Sequence, residues 1–383
     1  MINNRFSPIG LDLGTREIIA VQSRAGAIIA RCAIPRVDLE RSGGDEPAST
    51  APATDDRALS FVAAGTLAAI LHRRGFIGQR VVLSAPPGRR VVMPLQMPPR
   101  SSQAPLDEIA RGQLAEAARC GPDEIEGAWW ALPVVGVAPA PPTGKEPTHA
   151  LGVAMSRHDV ESVIEPLEAA GFEVCAMDVK SLALVRALER QVAGGAGKAR
   201  VMAIVNYGYG GAGVIMVHRG RVVYERDLPG VGLDFTESAL TGAIGVEADV
   251  AHHVVMGAGV TRPEAIGSVG ARPWALLPQA QEIIQSHVRA VASEVQKALD
   301  YALARFGKPG TGGPESAVMV VGAGASVPGL PELLGREACG EAGIVPGCGT
   351  DRSAADRVWP RLIGALGLSM HPLRVQTAME VAA

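Results

Sequence analysis

The sequence predicts an α/β fold laid down twice, as two lobes with the same strand order and a mixed α+β segment inserted into the first. Three observations predict it. Each half opens on three successive strand-like runs. The first run of each half ends on an acid or an amide followed by a glycine, Asp12-Leu13-Gly14 in one and Asn206-Tyr207-Gly208 in the other. A later, wholly apolar run, Val318–Val321, enters a glycine-rich turn.

The elements follow in order. Ile9–Leu13, Ile18–Gln22 and Ala27–Ala33 read as strands, with Arg24-Ala25-Gly26 as the tight turn between the second and third. Ala58–Arg74 reads as a helix and Val81–Ala85 as the next strand. The inserted segment has strand-like runs at Val91–Gln96, Ala128–Val135 and Leu151–Met155, and helical ones at Leu106–Arg119 and His158–Ala170. The chain returns through Val174–Val179 to a helix at Leu182–Leu188. In the second half Val201–Asn206, Gly213–Val217 and Arg221–Asp227 read as strands, with His218-Arg219-Gly220 as the turn. Helices are expected at Phe235–Ala243 and Gln281–Phe306. In the second of these, Ile284, Val288, Val291, Val295, Leu299 and Leu303 recur at spacings of three and four, the mark of a buried stripe. Ser42–Asp56, Ala138–Thr148 and Gly307–Pro314 are Gly-, Pro- or Ser-rich, lack apolar periodicity and read as linkers, with a shorter break at Ala193–Gly197.

Composition bounds the function classes. A chain of 383 residues exceeds one ordinary core. Hydrophobic residues make up 47% and charged residues 20%, which is globular, and with only 4% aromatics the cores must be built from Ala, Val, Leu and Ile. The net charge of −3, with both signs mixed, argues against non-specific nucleic-acid binding. No apolar run reaches bilayer-spanning length, and Met1–Pro8 lacks the apolar core of a signal peptide, so a cytosolic location is expected. Cys32, Cys120, Cys175, Cys339 and Cys348 form no CxxC pair and are expected as reduced thiols.

Three turns carry candidate chemistry. In Ile9-Gly10-Leu11-Asp12-Leu13-Gly14-Thr15 the glycine lets backbone amides approach a phosphate, and Asp12 can hold Mg²⁺ through water. Ile204-Val205-Asn206-Tyr207-Gly208 sits at the same place in the second half. Val320-Val321-Gly322-Ala323-Gly324-Ala325-Ser326 runs from a buried strand toward a helix beginning near Pro328 or Gly329, where a base or ribose can lie against backbone. Other features carry less. Gly194-Gly195-Ala196-Gly197-Lys198 lacks the first Gly and the Ser/Thr of a P-loop. His252 and His253 diverge by about 100° on a helix, which disfavours a metal site. Trp129 and Trp130 alternate on a strand, one toward a core and one toward a surface that suits a partner.

The three turns resemble the phosphate-1, phosphate-2 and adenosine motifs of actin-like (ribonuclease H-like) ATPases. More closely, the chain resembles the PilM-like cytoplasmic proteins of type IV pilus and secretion machines, which are related to FtsA. That likeness rests on Pro94-Leu95-Gln96-Met97-Pro98, on Leu167-Glu168-Ala169-Ala170-Gly171-Phe172 leading to Asp178 and Leu182-Ala183-Leu184, and on Arg226-Asp227-Leu228-Pro229-Gly230. The resemblance implies a first lobe at 1–88 and 176–197, an insertion at 89–175, a second lobe at 198–232 and 316–383, a subdomain at 233–315, and flexible loops at 40–57 and 138–148. It also implies ATP or ADP with Mg²⁺ in a cleft, bound by Asp12, Gly14, Thr15, Asn206, Gly208, Gly322, Gly324 and Ala325. The expected partner is the N-terminal cytoplasmic peptide of a PilN-like inner-membrane protein, which would hold the chain beneath that membrane.

Three positions depart from the family. Asn206 stands where an acid is usual and cannot act as a general base. Ile19 stands where a Lys is usual, and Ala323 where a Gly is usual. Weak or absent ATP hydrolysis is therefore expected, with the nucleotide either bound without turnover or absent from a scaffold. An adaptor is the leading reading. A small-molecule kinase would need a substrate base, for which Asp178, Asp227 and Asp234 are candidates. An FtsA-like cytoskeletal role would need an amphipathic tail, and the residues after His371, with Arg374, have little such character.

Overall fold

A computed structural model describes residues 6–24, 27–40, 58–133, 147–194, 201–228, 230–260, 277–306, 316–340 and 360–372. In chain order the elements are β1 (Ile9–Leu13), β2 (Glu17–Arg24), β3 (Ala27–Pro35), α1 (Arg36–Glu40), α2 (Phe61–Arg73), β4 (Arg80–Ser84), β5 (Arg90–Met97), α3 (Leu106–Ala118), β6 (Ile125–Ala131), β7 (Thr148–Ser156), α4 (Arg157–Ala169), β8 (Glu173–Asp178) and α5 (Lys180–Ala187). There follow α6 (Glu189–Gly194), β9 (Val201–Tyr207), β10 (Ala212–His218), β11 (Arg221–Leu228), α7 (Leu233–Ile244), α8 (Ala248–Gly257), α9 (Leu277–Phe306), β12 (Ser316–Val321), α10 (Leu330–Cys339) and α11 (Ile363–Ser369). The chain divides into two units, Met1–Ala187 with Gly364–Ala383, and Leu188–Ile363. The turn residues Ala25 and Gly26, Cys348, Arg374, the Gly195–Lys198 part of the rejected P-loop, the Gly307–Pro314 linker and nearly all of the expected loops at 40–57 and 138–148 lie outside the described residues.

In the first unit the main sheet has the order β3-β2-β1-β4-β8. β1 pairs antiparallel with β2 and parallel with β4, and β4 pairs parallel with β8. All five residues of β1 are buried, as a central strand covered on both faces requires. Alternation sorts them. Ile9, Leu11 and Leu13 join the core with Leu67 and Leu71 of α2 and Val163 and Leu167 of α4. The opposite face, with Gly10 and Val82, is covered by Ala183 of α5 and Leu368 of α11. α2 begins where the Ser60 hydroxyl accepts the Ala63 amide (3.1 Å), and α4 begins the same way on Ser156 (3.0 Å from the Asp159 amide).

The expected insertion exists as a separate sheet of order β5-β7-β6, with α3 packed on one face through Ala110, Leu114 and Ala115. β6 starts at Ile125 rather than Ala128, because Glu126 and Gly127 already pair with Met155 and Ala154. Trp129 packs toward α3, with its indole N–H on Asp107 Oδ1 (3.0 Å), and Trp130 alternates to the other face. The boundaries differ from those expected. α4 gives its apolar face to the main core, and β8 belongs to the main sheet from Glu173.

The second unit repeats the arrangement. Its sheet has the order β11-β10-β9-β12, with β9 antiparallel to β10 and parallel to β12. Thus β9, β10, β11 and β12 correspond to β1, β2, β3 and β4. The β10–β11 hairpin closes on Arg219 (φ 52°) and Gly220 (φ 75°), two left-handed residues as a type I′ turn demands. α9 buries Ile284, Val288, Val291, Val295 and Leu299 along the stripe read from the sequence, each gaining about 1.5–3 kcal/mol of gross burial. Leu303 is only half-buried, and Ala302 and Phe306 take its place. α1, α6, α8 and α11 are helices that the sequence reading left unassigned. The expected second lobe ran to the C-terminus. The structure instead groups Gly364 onward with the first unit, where α11 lies against β1 and α5.

Candidate functional site

In the first unit, Asp12 stands one residue from the end of β1 and on the face covered by α5 and α11. Its side chain is enclosed. The Ser84 hydroxyl donates to Oδ1 (3.0 Å), and the Lys180 ammonium lies 2.7 Å from Oδ2. A Cβ on Gly364 would stand 3.1 Å from the same Oδ2 and 3.2 Å from Lys180 Cε, so α11 walls the pair. Asp12 is 5% exposed. Two neighbours come from strands parallel to β1: Ser84 ends β4, and Lys180 opens α5 just after β8. Beyond them, the Gly14 amide donates to the Asp12 carbonyl (3.1 Å), and the Arg36 Nε donates to the Gly14 carbonyl (2.6 Å). Thr15 is half-buried in this turn, and Ile19 is buried within β2. Ile19 stands where a Lys is usual, which would remove one positive charge near this turn. The structure brings two, Lys180 and Arg36, from other elements.

In the second unit, Asn206 pairs with Gly213 on β10 and Val321 on β12, one residue from the end of β9 as Asp12 is in β1. The loop after it folds onto the start of α7. The Gly208 amide donates to the Gly211 carbonyl (2.9 Å). The Gly208 and Tyr209 carbonyls accept the Leu233 and Asp234 amides (3.0 Å each), so the loop's own oxygens occupy donors at that helix N-terminus. The glycine-rich turn after β12 is a short 3-10 helix, Ala323–Ser326. Its Gly322 amide donates to the Pro360 carbonyl (3.2 Å), and its Ala325 amide to the Gly322 carbonyl (3.2 Å). Gly324 lies on the Tyr207 ring, where an added Cβ would come within 2.7 Å of three ring-side carbons. Tyr207 is 1% exposed, and burial pushes its phenol pKa up against the pull of the Thr236 hydrogen bond. On α8, His252 meets the buried Glu237 of α7 (Nδ1 to Oε1 2.8 Å), and His253 is exposed.

The strand order β3-β2-β1-β4, repeated as β11-β10-β9-β12, is the actin-like α/β two-lobe fold. The family described as type IV pilus assembly protein PilM matches residues 116–254. Among solved structures, the chain aligns with a protein of the "PilM-PilN type IV pilus biogenesis complex" at 18% identity and TM-score 0.68, covering 96% of this chain and 98% of that one. The chain is thus similar to PilM over that span and in its fold. The ethanolamine utilization protein EutJ from Carboxydothermus hydrogenoformans aligns at 15% identity and TM-score 0.53, over 95% of this chain and 89% of that one. MreB5 of Spiroplasma citri, solved bound to ADP, aligns at 11% identity and TM-score 0.49, over 94% of each chain. No curated protein sequence matches the chain significantly.

A magnesium nucleotide needs amide donors aimed outward and a carboxylate that can hold a hydrated dication. Here the Gly14, Gly208, Gly322 and Ala325 amides are all given to the chain's own carbonyls. Gly324 is filled by Tyr207, and Asp12 is occupied by Ser84 and Lys180. The residues present do not fit the group in the way the motifs imply, since Asp12, expected as a magnesium carboxylate, is held by Ser84 and Lys180. The candidate substrate bases fare no better. Asp178 is buried and paired with Arg186 (2.9 Å), Asp227 is an exposed residue of β11, and Asp234 opens α7. Sequence reasoning missed Lys180, Ser84 and Arg36. A basic residue two after an acid-ended strand, as in Asp178-Val179-Lys180, was the one available signal.

Proposed function

We propose that this PilM-like protein is a scaffold of a type IV pilus or type II secretion-like inner-membrane assembly, gripping the N-terminal cytoplasmic peptide of a PilN-like partner. The observation that carries the reading is the alignment along nearly the whole chain with a protein of a PilM–PilN complex, at TM-score 0.68. The match of the PilM family over residues 116–254, which takes in β6, β7 and α4, supports it. So does the strand β6, where Trp130 is half-buried on the face away from α3. Among the described residues no helix is long and apolar enough to cross a membrane; in this reading the membrane-anchored partner supplies the attachment. The committed amides and the Asn206 amide favour a scaffold without efficient ATP turnover over an active ATPase or kinase.

The test is calorimetric titration of the full chain with synthetic peptides of about a dozen residues from the N-termini of the PilN-like proteins of the same genome. A dissociation constant on the order of micromolar is expected for a segment that orders on binding. No heat with any of these peptides, at protein concentrations well above that range, would reject the assignment. Inorganic phosphate release from Mg-ATP should stay at background with and without peptide.

A further inference from the structure

We infer that the Lys180 ammonium is a built-in cation standing where a divalent metal would otherwise sit on Asp12, so that this half of the fold is charge-balanced without metal. The geometry carries the inference. The ammonium contacts Oδ2 at 2.7 Å, the Ser84 hydroxyl donates to Oδ1 at 3.0 Å, and Gly364 of α11 lies against the same Oδ2 and the lysine. The carboxylate is 7% exposed and the lysine side chain 20% exposed, so the pair is held largely away from water. A dication coordinating Oδ2 directly, at about 2.0–2.1 Å for Mg²⁺, needs the space the ammonium fills. A dication held through water would have to compete with the Ser84 hydroxyl on Oδ1 and the ammonium on Oδ2. The Arg36 guanidinium on the Gly14 carbonyl adds a second positive group beside the same turn, which repels a dication further.

Local structure does not ask for a lysine here. Lys180 is the first residue of α5, and a cation at a helix N-terminus opposes the helix dipole. Asp12 supplies the reason for it. The parallel run of β1, β4 and β8 sets the ends of these strands side by side, with Leu11 opposite Leu83 and Ser84 opposite Asp178, so the residue opening α5 reaches the end of β1. Removing the ammonium would leave a buried carboxylate beside a hydroxyl, both oxygen donors that suit a hard cation.

Manganese titration of the full chain, with free Mn²⁺ read by its paramagnetic resonance signal, tests this. The wild-type chain is expected to show no saturable site that Asp12→Asn removes. Lys180→Met is expected to gain one site, at least about tenfold tighter than any wild-type uptake, and Lys180→Met with Asp12→Asn to lose it. A wild-type site that Asp12→Asn abolishes would overturn the inference, because the metal would then share the carboxylate with the lysine. A folded Lys180→Met protein whose Mn²⁺ curve matches wild type would overturn it too. Should Lys180→Met fail to fold, Lys180→Gln keeps a donor to Asp12 without the charge and carries the same two outcomes, and the wild-type arm stands regardless. The result is independent of peptide binding by the partner.

Discussion

Replacing Gly367 by alanine puts the way α11 is held onto the first unit to the test. An alanine Cβ there would stand 1.8 Å from the Ala183 carbonyl oxygen and 2.4 Å from its carbon. Ordinary contact begins near 3.4 Å, so the two backbones would have to part by about 1.6 Å, the difference 3.4 − 1.8. Neither side is the end of a flexible side chain, so the strain is not relieved by a rotamer change. The same movement breaks the Arg186 bond to the Gly367 carbonyl (2.7 Å) and pulls Leu368 from its contact with Val82 and Ala183. Overpacking costs about 1–3 kcal/mol and a lost charge-assisted hydrogen bond about 1.5–3, so a loss of about 3–5 kcal/mol is expected. Urea denaturation gives the magnitude. Hydrogen exchange gives the location, with protection of the α11 amides expected to fall about a hundredfold or more. Gly65→Ala in α2 is the internal control. Its Cβ meets nothing within 4 Å, and it should stabilise by about 0.5–1 kcal/mol. If Gly367→Ala stays within about 0.5 kcal/mol of wild type, or loses protection elsewhere and not in α11, the packing argument is wrong.

Two further outcomes follow from the same geometry. Gly324→Ala should destabilise by about 1–3 kcal/mol in thermal or urea melts with no nucleotide present, because Tyr207 is buried and cannot yield to the added methyl; equal stability would return that glycine to a ligand role. Burial raises the Cys32 thiol from about 9 to about 11, outweighing the lowering by Arg74 and by the Ala20 backbone hydrogen bond. A raised folded-state pKa stabilises fully below the unfolded value and is lost as pH rises through the folded one. Wild type should therefore lose about 1 kcal/mol relative to Cys32→Ala between pH 9 and 11, after allowing for the solvent that reaches this partly exposed group, and parallel pH profiles would contradict it.

Much of the fold was legible in the chain because it is written in local periods. The short apolar runs at Ile9–Leu13 and Val201–Tyr207, the three-and-four spacing along α9 and the turn at Arg219-Gly220 each depend on neighbours within a few residues. The repeated order of those elements pointed to a duplicated α/β fold, and the resemblance to PilM-like proteins rested on the motifs at Pro94–Pro98, Leu167–Phe172 and Arg226–Gly230. The candidate site was less legible. Asp12, Asn206 and the glycines at 14, 208, 322 and 324 stand at the strand ends where they were expected, but a glycine-rich turn reads the same whether its amides face a phosphate or the chain's own carbonyls. At Gly324 the occupant of the space is Tyr207, a residue of another strand.

The sequence by itself determined which residues end the first strand of each half and that each is followed by a glycine turn. Only the tertiary structure decided what those residues touch. Parallel pairing of β1, β4 and β8 brings Ser84 and Lys180 to Asp12, and the return of α11 sets Gly364 against the pair. The physical reason is that side-chain periodicity is a property of adjacent residues, whereas the charge that neutralises a buried carboxylate is chosen by sheet order, which joins residues far apart in the chain.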